Sequence, residues 1–371
     1  MRDFLTDLRL AGRALCHSPG FALAAVATLG LAIAANTTVF TWIDGVLLNP
    51  IPGARNPGEL MSLEEIASTG GSTPCTHPDL RDFQRDTRLL AGAFGTHFTP
   101  FTIGERDQAQ RVFGEVVTAN FFSVLGVKPV LGRFFLPEED RDIRGAFPYA
   151  VISHRLWSRR FHGDPGVVGR VVRMNGRPLT VIGVAPPEFR GTMTGLSLDV
   201  WVPLSIILEM GALNTWAADD RNARFLNVIV RLKPGASVAR ARSEVQAIAQ
   251  RLAAAYPKTH AGTSATLVPL WRARTGAQLL LLNPLRILMA IAIVVLLIAC
   301  GNVANLLLVR SISRQKEFGI RLALGGGRFR LVRLVLSEAL LLAGAGAVMG
   351  LWLAQWAHEL LAIFLPSTDL P

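Results

Sequence analysis

The chain has 371 residues, 50% of them hydrophobic, a formal net charge of +11 and a mean hydropathy of +0.37. Such apolarity excludes an ordinary soluble globule. The three cysteines, Cys16, Cys75 and Cys300, are too few and too dispersed for a disulfide scaffold or a thiolate metal centre, and no pairing among them is expected.

Residues 1–20 alternate Arg2, Arg9 and Arg13 with Phe4, Leu5, Leu8, Leu10 and Leu15, the pattern of an amphipathic helix on the inner membrane surface. Ser18-Pro19-Gly20 punctuates it. The following run, assigned to residues 21–48, is apolar enough to be a first span. A secretory leader is the competing reading. The run outlasts a signal core, and no small-residue cleavage site follows before Trp42-Ile43-Asp44, so an uncleaved span is expected.

Residues 49–280 contain no spanning stretch and predict a folded outer domain. Strand, helix and strand are expected at Leu60–Ile66, Pro78–Arg88 and Ala91–Phe98, and the same order returns at Phe225–Leu232, Val238–Tyr256 and Thr263–Leu270. Two such halves predict a ferredoxin-like split βαβ unit, α+β in class. The insertion between them, about 106–218, reads as mostly β. Asn175-Gly176 sits between two strand-like runs and supplies the positive φ values of a type I′ hairpin. Short helices are expected at Ala119–Leu125 and Ser153–Phe161, and a strand at Leu198–Leu204.

Residues 281–309 form the second span: Ile287–Val309 carries no charge. Arg310, Arg314, Lys316, Arg321, Arg328, Arg330 and Arg333 follow, opposed only by Glu317. Dense basic charge beside a span marks the cytoplasmic side. The N-terminus and residues 310–333 are therefore expected inside, and 49–280 and the tail 361–371 outside, with a third span at 334–360. Gly344, Gly346 and Gly350 offer close-packing faces in that span, Asn302 and Asn305 are expected to hydrogen-bond between helices, and Cys300 to pack in an interface. Glu338 is ionisable at membrane depth. It reads equally as a functional group or as an interfacial partner of Arg333 or Arg330.

The basic excess sits beside spans, and elsewhere arginines interleave with acids. No lysine-rich arm or aromatic–basic stripe accompanies it, so nucleic acid is not the expected partner. The histidines of the outer domain lack short ligand spacing, no G-x-S-x-G occurs, and Ser153 reads as a helix N-cap rather than a nucleophile. Glu138, Glu139, Asp140 and Asp142 read as a solvated acidic loop without EF-hand spacing. Gly325-Gly326-Gly327 is followed by no Lys-Ser/Thr, so it reads as a turn rather than a phosphate cradle.

Three separated stretches carry a family resemblance: HSPGFALAAVATLGLAIAANTTVF; ANFFSVLGVKPVLGRFFLPEED with VISHRLWSRRFHGDPGVVGRVVRMNGRPLTVIGVAPPEF; and RQKEFGIRLALGGGRFRLVRLVLSEALLL. Together they resemble MacB/FtsX-type ABC-transporter permeases, most nearly the acidobacterial duplicated orphan permeases. The resemblance implies a permease subunit with a MacB-like periplasmic core domain, in the bacterial inner membrane. It would couple a separate ABC ATPase, which holds the ATP, to movement of the outer domain for export or efflux, with no cofactor bound by this chain. The ATPase-coupling residues implied are Glu317, Phe318, Gly319, Ile320, Arg321, Leu322, Ala323, Leu324 and Gly325, whose apolar members a merely solvated loop does not explain. Implied partners are the bilayer, the ATPase, a second permease unit in a homo- or pseudo-dimer, and a periplasmic adaptor or outer-membrane channel. The family's unit has four spans and this chain three, so a fragment or truncated product is expected. The alternative is a membrane-anchored signalling or scaffold protein whose outer domain regulates a partner such as a cell-wall hydrolase.

Overall fold

The computed structural model describes residues 12–13, 15, 18–43, 51–104, 109–139, 143–193, 196–207, 209–211, 213, 219–274, 278–313 and 328–364. In chain order these form α1 (Pro19–Ile43), β1 (Leu60–Ile66), β2 (Ser72–Thr73), α2 (His77–Asp86), β3 (Leu90–Ile103), β4 (Gln110–Val117), α3 (Phe121–Leu125), β5 (Leu131–Gly132), β6 (Tyr149–Ile152), α4 (His154–Arg160), β7 (Val171–Met174), β8 (Arg177–Val184), β9 (Val200–Pro203), β10 (Asn227–Leu232), α5 (Val238–Ala255), α6 (Pro257–His260), β11 (Ser264–Pro269), α7 (Gln278–Ser313) and α8 (Arg328–Phe364). The chain divides into two units, one holding the long helices α1, α7 and α8 and the other residues 46–281. Most of the expected N-terminal amphipathic helix and the tail after Phe364 lie outside the described residues.

Within the second unit the strand order β11-β1-β10-β3 is antiparallel throughout. With α2 linking β1 to β3 and α5 and α6 linking β10 to β11, this is the ferredoxin-like arrangement of two split βαβ halves. The strand expected at Ala91–Phe98 is longer. β3 pairs β10 over Leu90–Thr96 and continues to pair β4 over Thr96–Ile103, so one strand belongs to both the core and the insertion. The insertion adds β4, β9, β6, β8 and β5 in that order. β7 pairs β8 and returns to β3 at Met174–Ile103, closing a ring of strands. At the β7–β8 turn Asn175 has φ 48° and Gly176 φ 76°, and Met174 faces Arg177. This is the two-residue hairpin that only such conformations close without splaying the strands.

The period of two along each strand builds two cores on opposite sheet faces. Val228 and Val230 of β10, Val200 and Val202 of β9, and Ala150 and Ile152 of β6 join one core, which α2 covers with Leu80 and Phe83 and α5 with Val245, Ile248 and Leu252. The alternating Ile229, Trp201 and Val151 join the other, with Phe94 and the α3 residues Phe121, Phe122 and Leu125. Aromatic contacts fill that second core: Phe122 stacks on Phe134 at 3.8 Å, and Phe94 meets Phe121 edge-on at 4.9 Å.

Candidate functional site: the helix seam and a buried ion-pair network

Stretches of α1, α7 and α8, namely Pro19–Thr41, Asn283–Ile312 and Val335–Trp356, are long and apolar enough to cross a membrane. α1 and α8 meet through glycines. A Cβ on Gly346 would stand 2.8 Å from Leu29 Cβ, and one on Gly350 2.8 Å from Ile33 Cβ and 2.9 Å from the Gly30 carbonyl. Small residues four apart let the two backbones approach this closely. Gly344, expected in the same seam, meets nothing within 4 Å.

Among the described residues of α7, Leu285, Ala292, Ala299 and Val303 are buried, a narrow seam of heptad-like spacing. Asn36 of α1 donates from Nδ2 to the carbonyls of Ala292 (2.8 Å) and Ala32 (3.0 Å). Asn302 and Asn305 lie instead on exposed positions of α7, and it is Asn36 that ties α1 to α7. Cys300, expected in an interface, is exposed because its neighbour Ala299 takes the seam position. Near the other end of the pair the Arg310 guanidinium lies 4.7 Å from the Phe21 ring centroid, within range of a cation–π contact. Ser337 and Glu338 of α8 are buried, and Ser337 Oγ donates to the Arg333 carbonyl at 2.8 Å. Glu317 through Gly325, the implied coupling residues, lie outside the described residues.

The outer unit hides a polar network that no sequence spacing announces. Thr76 caps α2 by accepting from Asp79 N, and its hydroxyl donates to Asp79 Oδ2 at 2.5 Å. Arg221 forks onto Asp79 and Asp82, one contact being 2.7 Å to Asp82 Oδ2, and its guanidinium stacks 3.9 Å from the Tyr256 ring centroid. His260 Nε2 meets Asp79 Oδ2 at 2.9 Å, while Arg224 pairs with the buried Glu65 of β1. The segment entering β10 and α6 are thereby tied to α2 through Arg221 and His260, and the same segment is tied to the end of β1 through Arg224.

Burial pushes the Glu65 carboxyl up, the nearby Asp79 charge adds to this, and Arg224 opposes it. Burial likewise pushes the adjacent Cys75 thiol well up, the opposite of what a reactive cysteine needs. Ligand atoms of Glu65, Asp79 and His260 lie within 4.8 Å of one another. Two guanidinium groups and the Thr76 hydroxyl already engage those carboxylates. The donor set therefore suits an ion-pair network and not a cation site.

Other sequence expectations resolve locally. Ser153 is the N-cap of α4, accepting from Leu156 N at 2.9 Å. Glu139, expected in a solvated acidic loop, is buried because Arg133 forks onto it at 2.7 and 3.0 Å and Leu136 N donates to it at 2.8 Å. Asp140 and Asp142 lie outside the described residues.

Residues 22–248 match the MacB-like periplasmic core domain, which is more than half of the chain. The chain belongs to that family. Residues 289–370 match the FtsX-like permease C-terminal region. Among curated proteins the chain is similar to the macrolide export ATP-binding/permease protein MacB 2 of Aeromonas hydrophila, 26% identical over 252 residues, covering 68% of this chain and 36% of the relative. It is also similar to the macrolide export ATP-binding/permease protein MacB of Neisseria gonorrhoeae, 26% identical over 339 residues, covering 85% of this chain and 48% of the relative. It thus spans between a third and a half of these relatives' length. Among solved structures it is similar to the periplasmic region of MacB from Actinobacillus actinomycetemcomitans, at 14% identity and TM-score 0.41, covering 59% of this chain and 91% of that one. The MacB-like chain is therefore a membrane protein with an extracytoplasmic domain, and the matched regions are permease regions.

Proposed function

We propose that this chain is a permease subunit that transmits closure of a separate ATPase across the inner membrane to its outer domain, for export or efflux. The N-terminus and the segment 310–333 are cytoplasmic in this reading, and the excess of arginine beside the spans supports that orientation. The observation that carries it is the run of the helices. Leu29 and Ile33 meet Gly346 and Gly350 in ascending order, so α1 and α8 run the same way. Phe21 meets Arg310 and Asn36 meets Ala292, so α7 runs against them. That alternation brings the C-terminal end of α7 and the N-terminal end of α8 to the same end of the three helices. In this reading a force applied at that end is passed along the α1–α8 seam.

The coupling segment is Glu317–Gly325, whose Phe318, Ile320, Leu322 and Leu324 would dock on the ATPase. No G-x-x-x-x-G-K-(S/T) occurs in these 371 residues, and in this reading ATP is held by the partner. The motif strings support a place near the duplicated orphan permeases. Peptides, lipids, macrolide-like molecules and lipoproteins are the cargo classes this reading admits. Asn302 and Asn305 face outward at a depth where hydrocarbon offers them no partner, which favours a further permease helix on that side, from a homo- or pseudo-dimer. A periplasmic adaptor or outer-membrane channel would complete the path. The test is a pull-down of the membrane-extracted chain from its host with proteins identified by mass. Recovery of an ATPase carrying a Walker motif is expected. Recovery of an extracytoplasmic hydrolase without any ATPase would overturn the reading in favour of a regulatory scaffold.

A further inference from the structure

The seam with α1 runs along α8 in steps of four, through Leu342, Gly346 and Gly350. A second row with the same step, holding Leu336, Leu340, Val348, Trp352 and Trp356, is offset from it by two residues. At 3.6 residues per turn that offset keeps the second row on the far side of the helix along its whole length. All five side chains are exposed, and Gly344, the remaining step, meets nothing within 4 Å. The row is aliphatic through most of the span and aromatic only at its last two steps. There Trp352 is 54% and Trp356 58% exposed, with their ring centroids 5.3 Å apart. Packing among the described residues does not account for two such rings. Neither does plain hydrocarbon: each indole carries an N–H donor with no acceptor among the described residues, and lipid tails supply none.

The depth of the rings follows from contacts between the helices. Ile33 meets Gly350 and Asn36 meets Ala292, so Ala292 lies at a level between Trp352 and Trp356. Arg310, which ends the uncharged run Ile287–Val309, stands at the level of Phe21. At 1.5 Å of rise per residue, Arg310 is about 27 Å from Ala292, and Trp356 lies about 5 Å beyond Ala292 on the other side. The two rings therefore sit where a hydrocarbon layer of about 30 Å, counted from the Arg310 level, comes to its end. The exposed Arg286 is about 9 Å beyond Ala292 on the same scale, past both rings. We propose that Trp352 and Trp356 are seated in the lipid interface at this end of the helices and fix the depth of α8 in the bilayer. The ring faces lie against the upper acyl chains, and the N–H groups donate to lipid ester and phosphate oxygens. A ring with an apolar body and a single polar edge is the side chain this layer favours. The assignment rests on the three helices spanning a bilayer and is independent of any ATPase partner.

The test is fluorescence quenching of the full chain in phosphatidylcholine bilayers whose acyl chains carry bromine either near the glycerol or near the terminal methyl. The signal of the two rings is the difference between the wild type and the Trp352→Phe/Trp356→Phe variant. The single variants read each ring alone, so the result does not hang on insertion of the double variant. The difference signal should be quenched more by the shallow bromine than by the deep one. Val348→Trp in the double-variant background puts an indole one turn deeper on the same row, and its quenching should shift toward the deep bromine. Stronger quenching of the native pair by the deep bromine would overturn the assignment, because the rings would then lie within the hydrocarbon. Quenching by neither would overturn it as well, since the rings would then be covered by protein such as a second copy of this chain.

Discussion

Asn36 donates its side-chain amide to the backbone carbonyl of Ala292, 2.8 Å away, and so ties α1 to α7 inside the apolar layer. Hydrogen bonds of this kind in membranes contribute about 0.6 kcal/mol on average and up to about 1.7. Asn36→Leu should lower resistance to SDS unfolding by an amount in that range. Asn302→Leu, at an exposed position, should leave the unfolding of the isolated chain unchanged. Equal effects of the two substitutions would contradict the assignment.

The α1–α8 seam makes a sharper demand. Gly346→Val places a side chain where Leu29 already stands, and overpacking of this kind costs about 1–3 kcal/mol. Gly344→Val enters open space and should cost little. Resistance to SDS unfolding reads the difference directly: it should fall in the first variant and persist in the second.

In the outer domain Arg221 bridges the buried carboxylates of Asp79 and Asp82, and its loss leaves Asp79 with Thr76 and His260 and Asp82 with the exposed Arg85. Breaking a buried pair from one side costs about 3–5 kcal/mol, so Arg221→Ala should lower the thermal midpoint of the domain severely. Arg251 pairs with Asp86 at 3.2 Å while 65% exposed, and Arg251→Ala should change stability by less than about 1 kcal/mol. Differential scanning fluorimetry of the two variants side by side distinguishes them.

Glu115 is buried on β4, accepting from Thr192 Oγ1 and, at 3.0 Å, from Trp201 Nε1. Burial raises its carboxyl above the usual range, against the pull of those donors. The folded state then holds the proton more tightly than the unfolded chain. Its contribution is fully present below the ordinary carboxylate value and is lost as pH rises through the higher folded value. Glu115→Gln keeps an acceptor for Trp201 and should flatten that fall, giving a smaller loss of thermal midpoint from acid toward neutral pH than the wild type. Parallel pH profiles, followed by Trp201 fluorescence, would contradict the account.

Much of the outer fold was legible because its physics is local. β1 falls at the expected Leu60–Ile66 and α5 begins at the expected Val238. Asn175-Gly176 closes its hairpin, and Ser153 caps its helix, for reasons contained in a few neighbouring residues. The strands β4 and β6 were not anticipated. β6 has only four residues, too few for a diagnostic period, and in β4 the run Gly114-Glu115-Val116-Val117 is buried throughout, so no alternation marks it. The ion-pair network was illegible for another reason: Arg221 lies 139 positions from Asp82, and His260 lies 181 from Asp79. Only the completed sheet brings them together. Asn36 and Asn302 are equally polar interruptions of apolar runs, and which of them faces a neighbouring helix is decided by packing.

The most direct test of the transmission account is ATP hydrolysis by the partner ATPase in proteoliposomes, with the wild-type chain, Ile320→Asp and Glu338→Gln. The wild-type chain should alter the turnover of the ATPase, and Ile320→Asp should return it to the rate of the ATPase alone while still inserting into the membrane. A loss with Glu338→Gln as well would place that buried carboxylate in the transmission path, whereas an unchanged rate would make it an interfacial ion-pair member. Identical turnover with and without the chain, or full stimulation by Ile320→Asp, would contradict coupling through residues 317–325.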